Sequence, residues 1–260
     1  MTELRDHAQT LLDLHTAPEI LTLPNVWDVA SAQAVAGVEG VRALATASHA
    51  IAAVFGYEDG EKIPLDLHLE MVERITRAVD LPVSMDFEAG YGDAGETARR
   101  AIAAGVVGGN LEDSLKPLDE AVAAVEAVLA AGRDAGIDFV LNARTDVFVL
   151  RKKGADRKEL MREAVRRGRA FLEAGAPVVF VPGVMTRDEI EILVAELGPQ
   201  KASLIAVPGV TPPTRELEQM GVARVSAGPF TQYVALNALR EAAAAFVSGD
   251  SLPTDAMPPT

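Results

Sequence analysis

Short apolar runs rich in β-branched residues recur along this chain, each followed by a longer Ala/Glu/Arg-rich stretch of helical period. That alternation dictates βαβ units around a parallel sheet. The runs fall at 20–23, 42–46, 82–86, 107–111, 139–142, 178–181, 203–207 and 223–226. Helices are expected at 28–38, 65–79, 94–104, 117–135, 156–174, 186–197, 213–220 and 229–247, with an extra one at 3–15. Eight strand and helix pairs in about 250 residues match a (β/α)8 TIM-type barrel in count and length. A doubly wound open sheet loses its best signature, because "LPNVWD" stands after the first run where a G-x-G-x-x-G would be expected. "FVPGVMTRDEI" at 180–190 and "AVPGVTPPTRE" at 206–216 echo each other as strand, Pro-Gly turn and helix. Residues 1–260 read as a single barrel domain. The tail from about 249, within "SGDSLPTDAMPPT", is expected to be flexible or docked on a partner.

Charge and cysteine content exclude more than they assign. With 38 acidic and 24 basic residues the formal charge is -14, which repels phosphate backbones and anionic membrane surfaces, so neither nucleic acid nor membrane is expected as a partner. A well-solvated surface accounts for most of that acidity. The absence of cysteine removes disulfides, thiolate metal sites and thiol nucleophiles. "MTELRDHAQTLLDLH" reads as an amphipathic helix rather than a signal peptide, and the Ala/Val tract at 121–131 is too short to span a bilayer. A soluble, cytoplasmic protein is the expectation.

A barrel of this kind builds its active site at the C-terminal ends of its strands. The residues just after the runs are Asn25 and Asp28, Thr46-Ala47-Ser48-His49, Asp86-Phe87-Glu88, Glu112-Asp113, and Arg144-Thr145-Asp146. Asp86 and Glu88 are two apart, so a continuing strand would project both to the same side. Joined there by Glu112, they would repel unless a cation sat among them, and such an oxygen-rich site suits Mg²⁺ or Mn²⁺. Any one of these acids alone would more ordinarily cap a helix or meet solvent. Arg144 can clamp a carboxylate or phosphate bidentately, or pair with Asp146 or Glu112. His49 is positioned as an acid or base, although a lone histidine more often serves as a structural hydrogen bonder. Trp27 is expected to pack under the barrel end or to touch the ligand.

Taken together, "LPNVWDVASA", "TAS" followed by "GYEDG", "PVSMDFEAGYGD", "GGNLEDS", "NARTD" and "VFVPG" resemble the isocitrate lyase/phosphoenolpyruvate mutase superfamily over roughly residues 18 to 230. The resemblance implies a modified barrel, typically tetrameric, whose eighth helix swaps between paired subunits. It implies Mg²⁺ chemistry on small 2-oxo or 2-hydroxy acids, making or breaking C-C or P-C bonds through a pyruvate-type enolate. Carried over, Asp86 resembles the principal metal ligand, with Asp59, Glu88 and Glu112 as mostly water-mediated partners. The Thr46-Ala47-Ser48 segment resembles the grip on the substrate carboxylate, and Arg144 the arginine on the substrate oxygens.

The departures fall in one loop. Family lyases carry a Lys-Cys-Gly-His type sequence after the fourth strand, whereas "LEDSLKPLDEAV" runs almost directly into a helix. Mutases and phosphonopyruvate hydrolases place a lysine and an asparagine there, of which only Lys116 stands nearby. An asparagine often found near the seventh strand is also absent from "SLIAVPG". The expectation is therefore a Mg²⁺-dependent lyase-type enzyme on a small 2-oxo or 2-hydroxy carboxylate, acting by C-C cleavage or decarboxylation. The alternatives are a phosphonate mutase or hydrolase, and an oxoacid-binding protein without efficient catalysis. A homo-oligomer, tetramer or helix-swapped dimer, follows from the resemblance alone.

Overall fold

The computed structural model describes residues 2–253. Helix α1 (Thr2–Thr16) precedes β1 (Leu21–Leu23), β2 (Asn25–Val26), α2 (Val29–Ala36), β3 (Leu44–Thr46), α3 (Ser48–Val54), α4 (Leu65–Ala78) and β4 (Val83–Asp86). Next come α5 (Ala94–Ala103), β5 (Gly108–Glu112), α6 (Leu118–Ala135), β6 (Val140–Arg144), α7 (Arg157–Glu173) and β7 (Val178–Phe180). The chain continues with α8 (Arg187–Leu197), β8 (Ala202–Ile205), α9 (Thr214–Met220), β9 (Arg224–Ser226) and α10 (Phe230–Val247). All strand pairs are parallel, in the order β1-β9-β8-β7-β6-β5-β4-β3-β2.

The nine segments occupy eight strand positions, because β1 and β2 are one run interrupted at Pro24. Proline has no N–H to give a ladder. Here the Leu23 carbonyl still accepts from Ala227 N at 3.3 Å and the Pro24 carbonyl from Ala45 N at 3.1 Å. The run thus pairs with β9 before the proline and β3 after it, and the sheet closes as a TIM-type barrel. The one helix absent from the sequence expectation is α3, which starts directly at Ser48 and places Ser48 and His49 in a first helical turn. Of the tail that begins near 249, residues 254–260 lie outside the described residues.

Strand alternation divides the core in two. Val83 and Met85 of β4 belong to a buried apolar cluster with Val72 and Ile75 of α4 and Ala98 and Ala101 of α5. The valine, isoleucine and methionine side chains each contribute about 1.5–3 kcal/mol on burial. The intervening Ser84 joins a polar layer inside the barrel, with Asn110, Asn142, Ser203 and Arg224, all buried. Arg224 donates from Nη1 to Ser84 Oγ at 3.4 Å and from Nη2 to Asn110 Oδ1 at 3.3 Å, and Asn142 Nδ2 donates to the same oxygen at 2.8 Å. Helix α1 packs on the start of β5 through Leu11, and glycine is required at Gly108 because a Cβ there would stand 2.8 Å from the Val140 carbonyl oxygen as well as 2.7 Å from Leu11 Cδ2. Among the described residues, no helix is long and apolar enough to cross a membrane.

Candidate active site

The C-terminal mouth holds a cavity of ≈ 310 Å³. Strand β4 delivers Asp86 to it, and the N-terminus of α3 delivers Ala47, Ser48 and His49. Asp86 is fixed from two directions: its backbone N donates to Thr46 Oγ1 at 3.1 Å, and Ser48 Oγ donates to its Oδ2 at 2.8 Å. Its other oxygen, Oδ1, is buried and has no partner. A buried carboxylate oxygen left bare costs about 1–3 kcal/mol or more unless a ligand completes it. Asp59 lines the same cavity, with Oδ1 3.5 Å from Ser48 Oγ.

Glu88 takes a different course from Asp86. Strand β4 ends at Asp86, and Glu88 adopts φ 52°, so the period-two projection expected for Glu88 does not carry past the strand end. Its Oε1 accepts from Tyr91 Oη at 2.8 Å and its Oε2 from the Glu61 backbone N, while Glu61 Oε1 accepts from Tyr91 N at 2.6 Å. His68 Nδ1 extends this chain to Tyr91 Oη at 3.0 Å. Burial raises the Glu88 carboxyl above its ordinary range against the pull of those bonds, and burial with Glu88 raises the Tyr91 phenol. This network latches the loop that carries Asp59 onto the turn after β4. Gly90 (φ 91°) makes that turn possible, since a Cβ there would stand 2.8 Å from Ala94 Cβ.

Arg144 forms both expected ion pairs at once and also lines the cavity. Its Nη1 lies 2.8 Å from Glu112 Oε2, and its Nε donates to Asp146 Oδ1 at 2.8 Å. A guanidinium has donors beyond those two. Burial opposes the Arg144 cation, but Asp146, Glu112 and Asp86 outweigh it and hold its pKa above the ordinary value. Burial pushes the Glu112 carboxyl up to about 7 despite Arg144, with Asp146, Asp86 and Glu88 adding to the rise.

The remaining candidates are spread more widely. His49 lines the cavity, sharing a 2.9 Å hydrogen bond between Nε2 and Tyr233 Oη of α10, with Nδ1 3.8 Å from Asp59 Oδ2. Trp27 is half-buried against the core and does not line the cavity, while its neighbour Asn25 does. Asn25 ties the mouth together, donating from Nδ2 to the Thr46 carbonyl at 2.9 Å and accepting from Gly228 N at 2.7 Å. Asp28 caps α2 in a capping box with Ser31, and Asp93 caps α5. Lys116 is exposed, away from the cavity, on the turn at 113–117. That turn is pinned: Asp113 Oδ1 accepts from Leu115 N and Asp146 N, each at 3.0 Å, and Arg167 Nη1 bonds Asp113 Oδ2 at 3.0 Å.

The donor set bears on Mg²⁺ or Mn²⁺. Among the described residues, no three His, Asp or Glu side chains converge as a direct metal cage. Mg²⁺ usually takes one or two carboxylates and keeps several waters, and that suits a single bare Oδ1 on Asp86 with Asp59 on the same cavity. The residues present fit the ion.

A family model described as phosphoenolpyruvate phosphomutase matches residues 11–247. The chain belongs to that family. Its fold is 39% identical, with a TM-score of 0.85, to that of a candidate phosphonomutase from Burkholderia cenocepacia J2315, over 95% of this chain and 99% of that one. Oxaloacetate acetylhydrolase bound to its product oxalate is 26% identical with a TM-score of 0.85, over 97% and 91% of the two chains. An oxaloacetate decarboxylase of Paraburkholderia xenovorans is 30% identical over 191 residues, 67% of this chain and 60% of that protein. The family and these relatives are lyases and mutases, and this phosphomutase-family chain is an enzyme of that class.

Sequence reasoning missed Glu61, Tyr91, Tyr233 and Arg224 as members of the site's framework. One signal was available: β4, β5, β6, β8 and β9 each carry a buried polar residue (Ser84, Asn110, Asn142, Ser203, Arg224) where a buried parallel strand should be apolar.

Proposed function

We propose that this family member is a Mg²⁺- or Mn²⁺-dependent lyase acting on a small 2-oxo or 2-hydroxy carboxylate through a pyruvate-type enolate. The observation that carries the reading is the buried, unpartnered Oδ1 of Asp86, a residue that lines one cavity with Arg144. Asp86 would hold the ion directly and Asp59 through water, and the bound ion would supply Lewis-acid stabilisation of negative charge on the 2-oxo oxygen. Ser48 orients Asp86, and the Glu88, Tyr91 and Glu61 network keeps Asp59 in place. Arg144 presents fixed positive charge where the oxyanion grows, preorganised by Glu112 and Asp146. Glu112, its carboxyl pushed up to about 7, and His49 are the two groups suited to give or take a proton: His49 lines the cavity on the same wall as Asp86 and Arg144, and Glu112 adjoins it through its pairing with Arg144.

Likeness to a candidate phosphonomutase supports a second reading, cleavage or transfer at a P-C bond in the same cavity. The exposed Lys116 and the pinned turn after β5 weigh against it, and also favour an oxoacid-binding protein with slow chemistry as the third outcome. Incubation with Mg²⁺ and a mixed panel of 2-oxo, 2-hydroxy and phosphono acids, followed by NMR, separates the three. Pyruvate-type product supports the lyase, rearranged phosphonate or released phosphate supports the second reading, and saturable binding without product supports the third. No turnover and no Mg²⁺-dependent binding across the panel overturns the proposal.

A homo-oligomer, dimer or tetramer, goes with this reading. Helix α10 leaves Val234, Leu239, Phe246 and Val247 more than half exposed, a surface suited to packing on a second copy. Light scattering on the full chain tests it, and a monomer at micromolar concentration would contradict it.

A further inference from the structure

The mouth of the barrel is chemically two-sided. Asn25, Ser48, His49, Asp59, Asp86 and Arg144, from the β2 to β6 side, supply every charged group that lines the cavity. The opposite wall, from the ends of β7 to β9 and the loops after β6 to β9, is formed by Val149, Phe180, Pro182, Ile205, Val207 and Pro229 with Gly183 and Gly228, and Ser226 is its one polar side chain. The same side continues outward into exposed Leu150, Val184 and Val210, on the loops that follow β6, β7 and β8. Single exposed apolar residues are ordinary, but these three stand on the successive loops that also supply the apolar wall.

Resting on the function proposed above, we infer that the substrate's end remote from the 2-oxo carboxylate is uncharged and apolar, a short alkyl group rather than a second carboxylate. A second carboxylate would have to be desolvated against hydrocarbon, which is strongly unfavourable unless a cation meets it. Arg144 is the one arginine or lysine that lines the cavity among the described residues, and it already faces Glu112 and Asp146. Arg224 lies buried below, bonded to Ser84 and Asn110. Arg151, Lys152 and Lys153 stand exposed on the loop after β6, where Arg151 bonds the Phe148 carbonyl, and none of the three lines the cavity. The volume of ≈ 310 Å³ equals that of about ten water-sized groups, enough for a pyruvate unit with a short extension.

The test is calorimetry on the full chain with saturating Mg²⁺ and three probes: pyruvate, 2-oxopentanoate and 2-oxoglutarate. The last two differ only in whether the fifth carbon is a methyl or a carboxylate. The expected order is 2-oxopentanoate tightest, ahead of pyruvate, and about tenfold or more ahead of 2-oxoglutarate. Val149→Lys, a change on the exposed rim of the apolar wall, is expected to move the affinity ratio of the two longer acids several-fold toward 2-oxoglutarate. Equal or tighter binding of 2-oxoglutarate by the unaltered protein, no gain of 2-oxopentanoate over pyruvate, or an unmoved ratio in the variant would each overturn the inference while leaving the function proposed above intact. If none of the three acids binds in the presence of Mg²⁺, that function and this inference fall together.

Discussion

Asp86 and Glu88 sit two residues apart in one motif, yet they end in opposite situations. Asp86, the last residue of β4, lines the cavity and keeps its buried Oδ1 without a partner, while Glu88, past the strand end at positive φ, has both oxygens committed to Tyr91 and Glu61. The contrast separates a carboxylate left for a ligand from a carboxylate spent on holding a loop. The same division runs across the mouth, where a charged wall faces an apolar one. Identical side-chain chemistry therefore does different work according to where the strand stops.

Substitutions can break this comparison, and the largest effect is expected at Asp86. Asp86→Asn keeps the hydrogen bond to Ser48 but removes the charge, and kcat/KM should fall about 10³-fold or more, matching several kcal/mol of lost charge stabilisation. Arg144→Lys follows, with an expected loss of about 10²–10³-fold in kcat, since a point charge does not reproduce the fork held between Glu112 and Asp146. Glu88→Gln should cost less. Loss of the latch is expected to lower stability in denaturant unfolding by about 1–2 kcal/mol and raise the Mg²⁺ requirement only several-fold. An effect as large as that of Asp86→Asn would show that Glu88 acts on the ion rather than on the loop.

The smallest effect sharpens the electrostatics of the charged wall. Glu112 has its folded pKa raised to about 7 from an ordinary 4.5, so its contribution to stability is complete below about pH 4.5 and is lost as pH rises through about 7. In metal-free protein, melting curves from pH 5 to 8 should show the native chain losing stability relative to Glu112→Gln, by on the order of 1–3 kcal/mol. His15 and His68, held at about 3 and about 4 by burial, act in the opposite direction, their contribution being lost as pH falls below about 6.5. They are common to both proteins and cancel in the difference. Parallel curves would contradict the assignment for Glu112.

Much of the barrel was legible in the sequence because strand and helix alternation is a local signal, and each apolar run needed only its own neighbours to declare itself. The interruption at Pro24 and the short helix α3 were not, since one depends on which strands flank the run and the other begins within the segment read as the loop after the second run. At the site, the residues following the strands were readable from topology. What their side chains face was not: the fate of Glu88 depends on the left-handed turn and on Glu61, which comes from a loop 27 residues earlier. The apolar wall escaped notice for a related reason. "FVPG" and "AVPG" look like ordinary turns until closure sets them opposite Asp86.

The most direct test of the central claim, an oxoacid site organised around the bare oxygen of Asp86, is calorimetric titration with oxalate, a planar mimic of the pyruvate enolate. With Mg²⁺ the native chain should bind oxalate saturably at one site per chain, and without Mg²⁺, or in Asp86→Asn with Mg²⁺, the binding should weaken at least about 10²-fold. Equal oxalate affinity with and without the ion, or in the native and Asp86→Asn proteins, would contradict it.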